Sequence, residues 1–342
     1  MISDVLAWVT EGKTLNQETA REVMSFIMRG EATDAQVACL LTALRMRGET
    51  PEEIAGFAQA MREAALNIRP SVSPLVDTCG TGGDGCGTFN ISTAAAFIAA
   101  GAGVYVAKHG NRGVSSSCGS ADVLEALGVN IDMDPERVRT CIEEVGIGFL
   151  FAPRFHPAMR HVMRARREMG IPTAFNLLGP LTNPAGAQFQ LLGVGRVDKA
   201  PLIAGALAGM GTRKALVVHG EDGLDEISSI SPTLVWEVED GKVKEGRIEP
   251  GELGLDPADP QALQGGSAEE NARIIREEVL SGKPGPRRDI AVLNAAAVLY
   301  AAGRAADLKE GLALAEDAVD SGRALRKLEM LVEFTKEASR VS

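Results

Sequence analysis

Three short stretches concentrate side chains able to do chemistry. Gly80-Thr81-Gly82-Gly83-Asp84-Gly85 places four glycines in six residues, and glycines let backbone N–H groups close around a phosphate. Asn90-Ile91-Ser92-Thr93 then opens a helix whose N-terminus adds partial positive charge. The second stretch, Lys108-His109-Gly110-Asn111-Arg112, puts two permanent cations and a titratable ring within five residues. Arg gives forked contacts and Lys a compact charge, a pairing suited to phosphates and a sugar. Gly113 and Ser115-Ser116-Ser117 follow, and their composition predicts a loop that closes over a ligand. The third stretch carries Glu221, Asp222, Asp225 and Glu226. Adjacent carboxylates repel one another, and a hard cation such as magnesium relieves the repulsion.

Each stretch alone has a plainer reading: a tight turn, a solvated basic turn, a solvated acidic turn. Together, glycine cradle, basic loop and acidic loop describe a site for a magnesium diphosphate. The first loop also matches GxGxxG, but the next strand ends in Lys108 where a dinucleotide site needs Asp or Glu. A P-loop needs Gly-Lys-Ser/Thr, which is missing. Arg160, Arg164 and Arg167 recur at i, i+4 and i+7, the spacing of one solvated helix face. Arg166 points elsewhere on that helix and could hold a substrate carboxylate. His156, before Pro157, reads as a helix-start residue rather than a base.

The elements that must position these loops are brief apolar runs, Leu75-Val76, Val104-Tyr105-Val106-Ala107 and Ala215-Leu216-Val217-Val218. Each run precedes one of the loops. Such runs alternating with helices signal a parallel sheet covered on both faces, whose carboxyl edge is where ligands bind. Intervening helices run from Asn90 to near Gly101, from Ser120 to Leu127 before Gly128, and from Asp134-Pro135 to Gly146. Ahead of them, residues 1–70 read as helices only. Thr50-Pro51-Glu52-Glu53 is a capping box with Pro at the first helical position. Val37, Leu40, Leu41 and Leu44 mark an amphipathic helix ended by Gly48. The Arg-rich helical stretch 152–185 interrupts the alternation and is expected to join these N-terminal helices. Residues 71–342 form the second, α/β unit, with Ala-rich helices dominating from Ser267 onward.

At 342 residues the chain has room for about two domains at roughly 150 residues each. Its 45% hydrophobic and 24% charged content is that of a soluble globular protein. Forty-six acidic against thirty-five basic residues leave a net charge of -11, which argues against a general nucleic-acid binder. Any anionic ligand must be held by local groups. Five cysteines without a CxxC pair indicate neither a disulfide framework nor a zinc site, so reducing cytoplasm is the expected compartment. The N-terminal stretch MISDVLAWVTEGK lacks the apolar core of a signal peptide, and no membrane segment is expected.

GTGGD at 80–84, NIST at 90–93, KHGNR at 108–112, GSADVLEALG at 119–128, FNLLGPLTNPA at 175–185 and HGEDGLDEIS at 219–228 resemble, in order, the blocks of the anthranilate phosphoribosyltransferase family. The resemblance spans nearly the whole chain. It implies an α/β protein, with a small all-helical domain and a larger α/β domain around a central, mostly parallel sheet, usually as a homodimer. It implies that the donor, 5-phosphoribosyl 1-diphosphate, lies on Gly80, Gly83, Asp84, Thr88, Asn90, Ser92 and Thr93, with Lys108 and Ser120 also in contact, and that Ile91, Gly110, Arg112 and Ser116 also bind substrate. Magnesium would be held by Asp225 and Glu226 with help from Ser92. Anthranilate would sit near Gly80, His109 and Asn111, its carboxylate toward Arg166. Four positions depart from the family's usual residues: Ser117 for Lys or Arg, Gly113 for Ser or Ala, Arg164 for Pro, and Pro172 for Arg.

The chemistry so implied is electrostatic. Positive charge grows on the ribose and negative charge on the leaving diphosphate, so stabilising both matters more than proton transfer, and no catalytic acid or base is expected. Two other readings stand beside it. A pyrimidine nucleoside phosphorylase shares the architecture but needs no metal, which the Asp225-Glu226 pair speaks against. A noncatalytic relative that binds nucleic acid would use the Arg160–Arg167 helix against the overall charge.

Overall fold

Alternation along the strands sorts their side chains into two cores. A computed structural model describes residues 2–113 and 118–338, with seven strands in one sheet: β1 (Leu75–Asp77), β2 (Tyr105–Gly110), β3 (Ile147–Phe151), β4 (Phe189–Gly193), β5 (Lys214–Gly220), β6 (Thr233–Glu239) and β7 (Lys242–Ile248). Leu191, Leu216, Val218 and Val235 enter one core, while Leu192, Val217, Trp236 and Val238 enter the other. This period of two follows from the pleat. On the first face lie the helices Ile91–Gly101, Pro286–Ala301 and Arg323–Ala338; on the second lies Ala200–Gly209, backed by the helix Pro51–Glu63.

The strand order is β3-β2-β1-β4-β5-β6-β7, parallel through β5 and antiparallel for the last two. Sequence progression reverses between β1 and β4, with Val76 paired to Val106 on one side and Phe189 on the other. In an open α/β sheet the crevice beyond such a reversal is where ligands bind. The loops following β1 and β4 therefore flank the natural site.

Apolar runs in the sequence reveal three strands, and four more are present. β3 starts one residue after the left-handed Gly146 that caps the preceding helix, so it reads as that helix's continuation. β4 is a five-residue run containing Gln190. β6 and β7 form a hairpin about Asp240-Gly241, both at positive φ, 47° and 75°, the chemistry of a two-residue primed turn. Lys242, Lys244 and Arg247 on exposed β7 charge the sheet's edge and oppose further pairing.

The helices Ile2–Thr10, Gln17–Met28, Asp34–Arg47 and Pro51–Glu63 form the all-helical unit. Thr33 and Thr50 each begin a helix with a capping box, both reciprocal bonds formed. Val162, Ala165, Phe175, Leu178 and Leu181 pack into the same core as these helices.

Candidate active site

Hydrogen bonds join the loops after β1, β2 and β5 into one site. Beyond β1, Thr81 N donates to Gly193 O at 2.9 Å, and Gly195 N donates to Thr81 Oγ1 at 3.1 Å. The glycine loop is thus pinned to the end of β4. A Cβ on Gly193 would lie 1.5 Å from Asp225 O, and one on Gly195 2.8 Å from Gly82 O, so only glycine permits this approach. Gly82, Gly83 and Gly85 have positive φ. Asp84 Oδ2 faces Asp225 N at 3.5 Å.

Ser92 connects the remaining parts. Its N–H donates to Glu226 Oε1 at 3.1 Å, its carbonyl accepts from Thr78 Oγ1 at 3.1 Å, and its Oγ lies 3.4 Å from Lys108 Nζ. Lys108 is buried and donates to Thr78 O at 2.9 Å and Thr78 Oγ1 at 3.0 Å. Gly80, Asp84, Ser92, Lys108, Asp225 and Glu226 are therefore brought together. Burial pushes the Asp225 and Glu226 carboxyls well up, with Asp84 raising Asp225 further and Asp225 raising Glu226. Among the described residues, no three His, Cys, Asp or Glu side chains close tightly enough to cage a cation. Magnesium binds through one or two carboxylates and completes its shell with water and substrate phosphate, so an open set of mutually repelling, half-buried carboxylates beside Ser92 fits it.

Other expected donor residues contribute backbone or architecture. Ile91 is core. Thr93 Oγ1 is buried without a partner, and the residue lines a small space with Phe97, Lys108 and Ile147. Thr88 bridges to Gln264. Asn90 uses its amide on Cys118 O at 3.1 Å and accepts from Asn271 Nδ2 at 3.0 Å. Gly110 admits Ser120 Oγ, which a Cβ would meet at 2.1 Å. Arg112 is exposed, paired with Asp122 at 3.1 Å and with Glu125, so its fork is engaged within the protein. Asn111 Oδ1 accepts the Arg112 N–H at 2.8 Å. Ser116 and Ser117 lie outside the described residues.

A second half of the site is built from residues far apart in sequence. His109 Nδ1 lies 3.2 Å from Gly179 O, and its ring centroid is 5.1 Å from that of His156. A carbonyl only accepts, so Nδ1 carries the proton and Nε2 presents a lone pair. Nε2 is buried and partnerless, as is His156 Nε2. Burial, and then the neighbouring ring, pulls His109 down to about 3, while burial brings His156 to about 4. Both rings are neutral near pH 7. His156 is thus both the residue before a short 3₁₀ turn and part of this half, which its position before Pro157 does not reveal. Arg164 pairs with Glu168 at 3.0 Å and Asp34 at 3.5 Å. Arg166 has no carboxylate partner among the described residues; half-buried, it stacks 5.1 Å from the Phe175 ring, and burial lowers its pKa. A partly desolvated cation without a counter-ion suits a substrate carboxylate.

Asp77, Thr78, Asn183 and the Gly193–Gly195 turn also belong to the site, and residue type and spacing alone do not single them out. Asp77 is fully buried and held by Thr78 N, His109 N and Asn183 Nδ2 at 2.7, 3.1 and 2.7 Å; burial raises its pKa to about 6 against the pull of those bonds. An acidic residue closing an apolar strand was the available signal.

Known proteins resemble this chain along its length. Residues 3–65 match the model described as "Glycosyl transferase family, helical bundle domain", and residues 72–325 match "Glycosyl transferase family, a/b domain". Anthranilate phosphoribosyltransferase of Symbiobacterium thermophilum is 56% identical over 331 residues, 97% of each chain. The crystal structure of anthranilate phosphoribosyltransferase from Thermus thermophilus superposes with a TM-score of 0.92 at 50% identity, covering 97% of this chain and 99% of that one. The Saccharomyces cerevisiae enzyme, in complex with PRPP and Mg, gives 0.88 at 31% identity, with 98% of each chain covered.

Proposed function

The chain belongs to the anthranilate phosphoribosyltransferase family, and from that membership we propose how its residues divide the work of one transfer. The enzyme moves the phosphoribosyl group of 5-phosphoribosyl 1-diphosphate to the amine of anthranilate, releasing diphosphate, in tryptophan biosynthesis. One observation carries the reading: a glycine cradle, a buried lysine and an unneutralised carboxylate pair meet at the sheet's reversal point.

The backbone N–H groups of 80–85 and the start of the helix Ile91–Gly101 receive the diphosphate. Asp225 and Glu226, with Ser92 and Asp84 beside them, hold magnesium, which when bound neutralises charge on the departing diphosphate. Lys108, fixed by Thr78, places its ammonium behind Ser92. On the acceptor side Arg166 takes the carboxylate of anthranilate, and Asn111 and Gly80 border the ring. The amine is already neutral near pH 7, and its N–H meets the lone pair on His109 Nε2. The chain's contribution there is position. Of the four departures, Arg164 and Pro172 bear on the acceptor entrance and Gly113 on the stretch after β2, while Ser117 lies outside the described residues.

We extend the proposal to the chain's organisation. The helices of 152–185 complete the N-terminal domain, whose core they share, and the α/β domain takes the rest. Trp8, Met46 and Met163 are 50%, 84% and 44% exposed on that unit, which supports a homodimer formed through it. No helix among the described residues is long and apolar enough to cross a membrane, and the cytoplasm is the proposed compartment.

Mixing the purified protein with both substrates and magnesium, and following anthranilate fluorescence, tests the activity. A signal that decays only when donor and metal are both present is expected. A constant signal at generous enzyme concentration would overturn the assignment.

A further inference from the structure

Every group that faces the Asp77 carboxylate is a hydrogen-bond donor. Oδ1 accepts from Thr78 N at 2.7 Å and His109 N at 3.1 Å, and Oδ2 accepts from Asn183 Nδ2 at 2.7 Å. Among the described residues no cation lies within ion-pair distance of it: Lys108 spends its ammonium on Thr78 and Ser92, and Arg62 donates to Leu181 O at 2.6 Å. Burying a carboxylate without a paired cation is costly. An amide of the same shape would turn its NH2 toward another donor, so only the ionised acid satisfies all three.

Those three donors belong to both halves of the site. Asn183 gives its second amide hydrogen to Ala107 O at 2.8 Å and accepts Ala185 N at 2.8 Å, which pins the turn at 183–185 to the middle of β2. Gly179 O receives His109 Nδ1 at 3.2 Å and Thr182 Oγ1 at 2.9 Å. The segment 175–185, which carries Phe175 beneath Arg166, is thus tied to β2 through Asn183 and His109. Asp77 accepts from one residue of each tie, from the His109 main-chain N–H and from Asn183 Nδ2. The glycine loop and the carboxylate pair have further anchors of their own, Gly193 and Ser92, and Asp77 bonds the donor half only through the Thr78 N–H.

We propose that Asp77 is a positioning residue for the acceptor half of the site, holding His109 and the 175–185 segment in register so that anthranilate meets His109 Nε2 and Arg166 together. This rests on the anthranilate reading given above. Asp77 touches neither substrate; it acts through His109 and Asn183.

The test uses Asp77→Asn and Asn183→Ala, each assayed below its melting temperature. Losing a hydrogen bond to a charged group raises the KM for anthranilate about 10- to 100-fold. The donor's Kd, measured by calorimetry with magnesium, stays within about threefold. Nitrogen NMR of the His109 ring is expected to move from the pure Nδ1–H tautomer to a mixture in Asp77→Asn. Equal losses for both substrates in a folded variant, or an unchanged KM for anthranilate, overturn the proposal. If Asp77→Asn does not fold, Asn183→Ala decides, because it keeps the carboxylate and both backbone donors. Wild type that ignores anthranilate sinks the activity assignment instead, and the NMR comparison then still decides whether Asp77 holds His109.

Discussion

Burial pushes the Asp225 and Glu226 carboxyls up on one side of the site and pulls the His109 and His156 imidazoles down on the other. One physical cause, the penalty on charge in a dry environment, leaves opposite situations. The donor half keeps acidic groups that repel until a cation joins them. The acceptor half has shed the charge on its rings and retains Arg166 as its cation without a counter-ion. A highly charged donor and a flat aromatic acid therefore meet surfaces of different kinds: one made of backbone dipoles and carboxylates awaiting metal, the other of neutral rings and a guanidinium without a carboxylate partner.

The largest break in that contrast comes from removing the acidic pair. Asp225→Asn with Glu226→Gln is expected to lower magnesium-dependent turnover by at least about 10³-fold, since metal charge stabilisation is worth several kcal/mol. The same variant is expected to melt no lower than wild type without magnesium, because it removes adjacent like charges from a half-buried site. Turnover unchanged at saturating magnesium would mean that the loop is a solvated acidic turn.

Next in size is a change to the scaffold of the donor half alone. Gly193→Ala puts a methyl 1.5 Å from Asp225 O, so the β4 end and the acidic loop must separate. A cost of about 1–3 kcal/mol in stability and a raised magnesium requirement are expected, read by thermal melting and by a metal titration of the assay. An acceptor KM that rises while the metal titration stays put would show that the halves are not separately anchored.

Arg166→Ala tests the acceptor half. Loss of a charge-assisted contact predicts a KM for anthranilate about 10- to 100-fold higher with the donor's Kd unchanged. Arg112→Ala, by contrast, releases a side chain already paired with Asp122 and Glu125, and steady-state kinetics should separate the two.

The halves also differ in how far the sequence discloses them. The donor half is contiguous: glycines, the Asn90–Thr93 helix start and the Asp225-Glu226 pair each sit within a few residues after an apolar run, and their chemistry is legible from type and spacing. Asp77 and Gly193 escaped because their meaning is tertiary; nothing local says that β4 lies beside β1 or that three donors converge on one carboxylate. Beyond His109 and Asn111 in the basic stretch after β2, the acceptor half has no local signature. His156, Arg166, Phe175 and Asn183 meet only through packing of the 152–185 segment against β2 and the helical unit, and Arg166 stood out in the sequence solely by falling off the solvated face of its helix.

The smallest effect is the pH dependence of stability, and it isolates the neutral rings. His109 and His156 titrate at about 3 and about 4 in the folded protein, below the unfolded value of roughly 6.5. Above that unfolded value neither state takes the proton and their contribution to stability is complete. As pH falls below it, the unfolded chain binds protons that the folded chain refuses, so stability declines, at up to about 1.4 kcal/mol per pH unit for each ring. The decline ends once the folded-state values are passed. Melting temperatures measured from pH 7 to pH 4.5 should therefore fall less steeply for His156→Phe than for wild type, while Arg166→Ala should follow the wild-type slope. Identical slopes for all three proteins would mean that the rings take up protons without unfolding, and that the acceptor half is not the dry, neutral surface set against the acidic one.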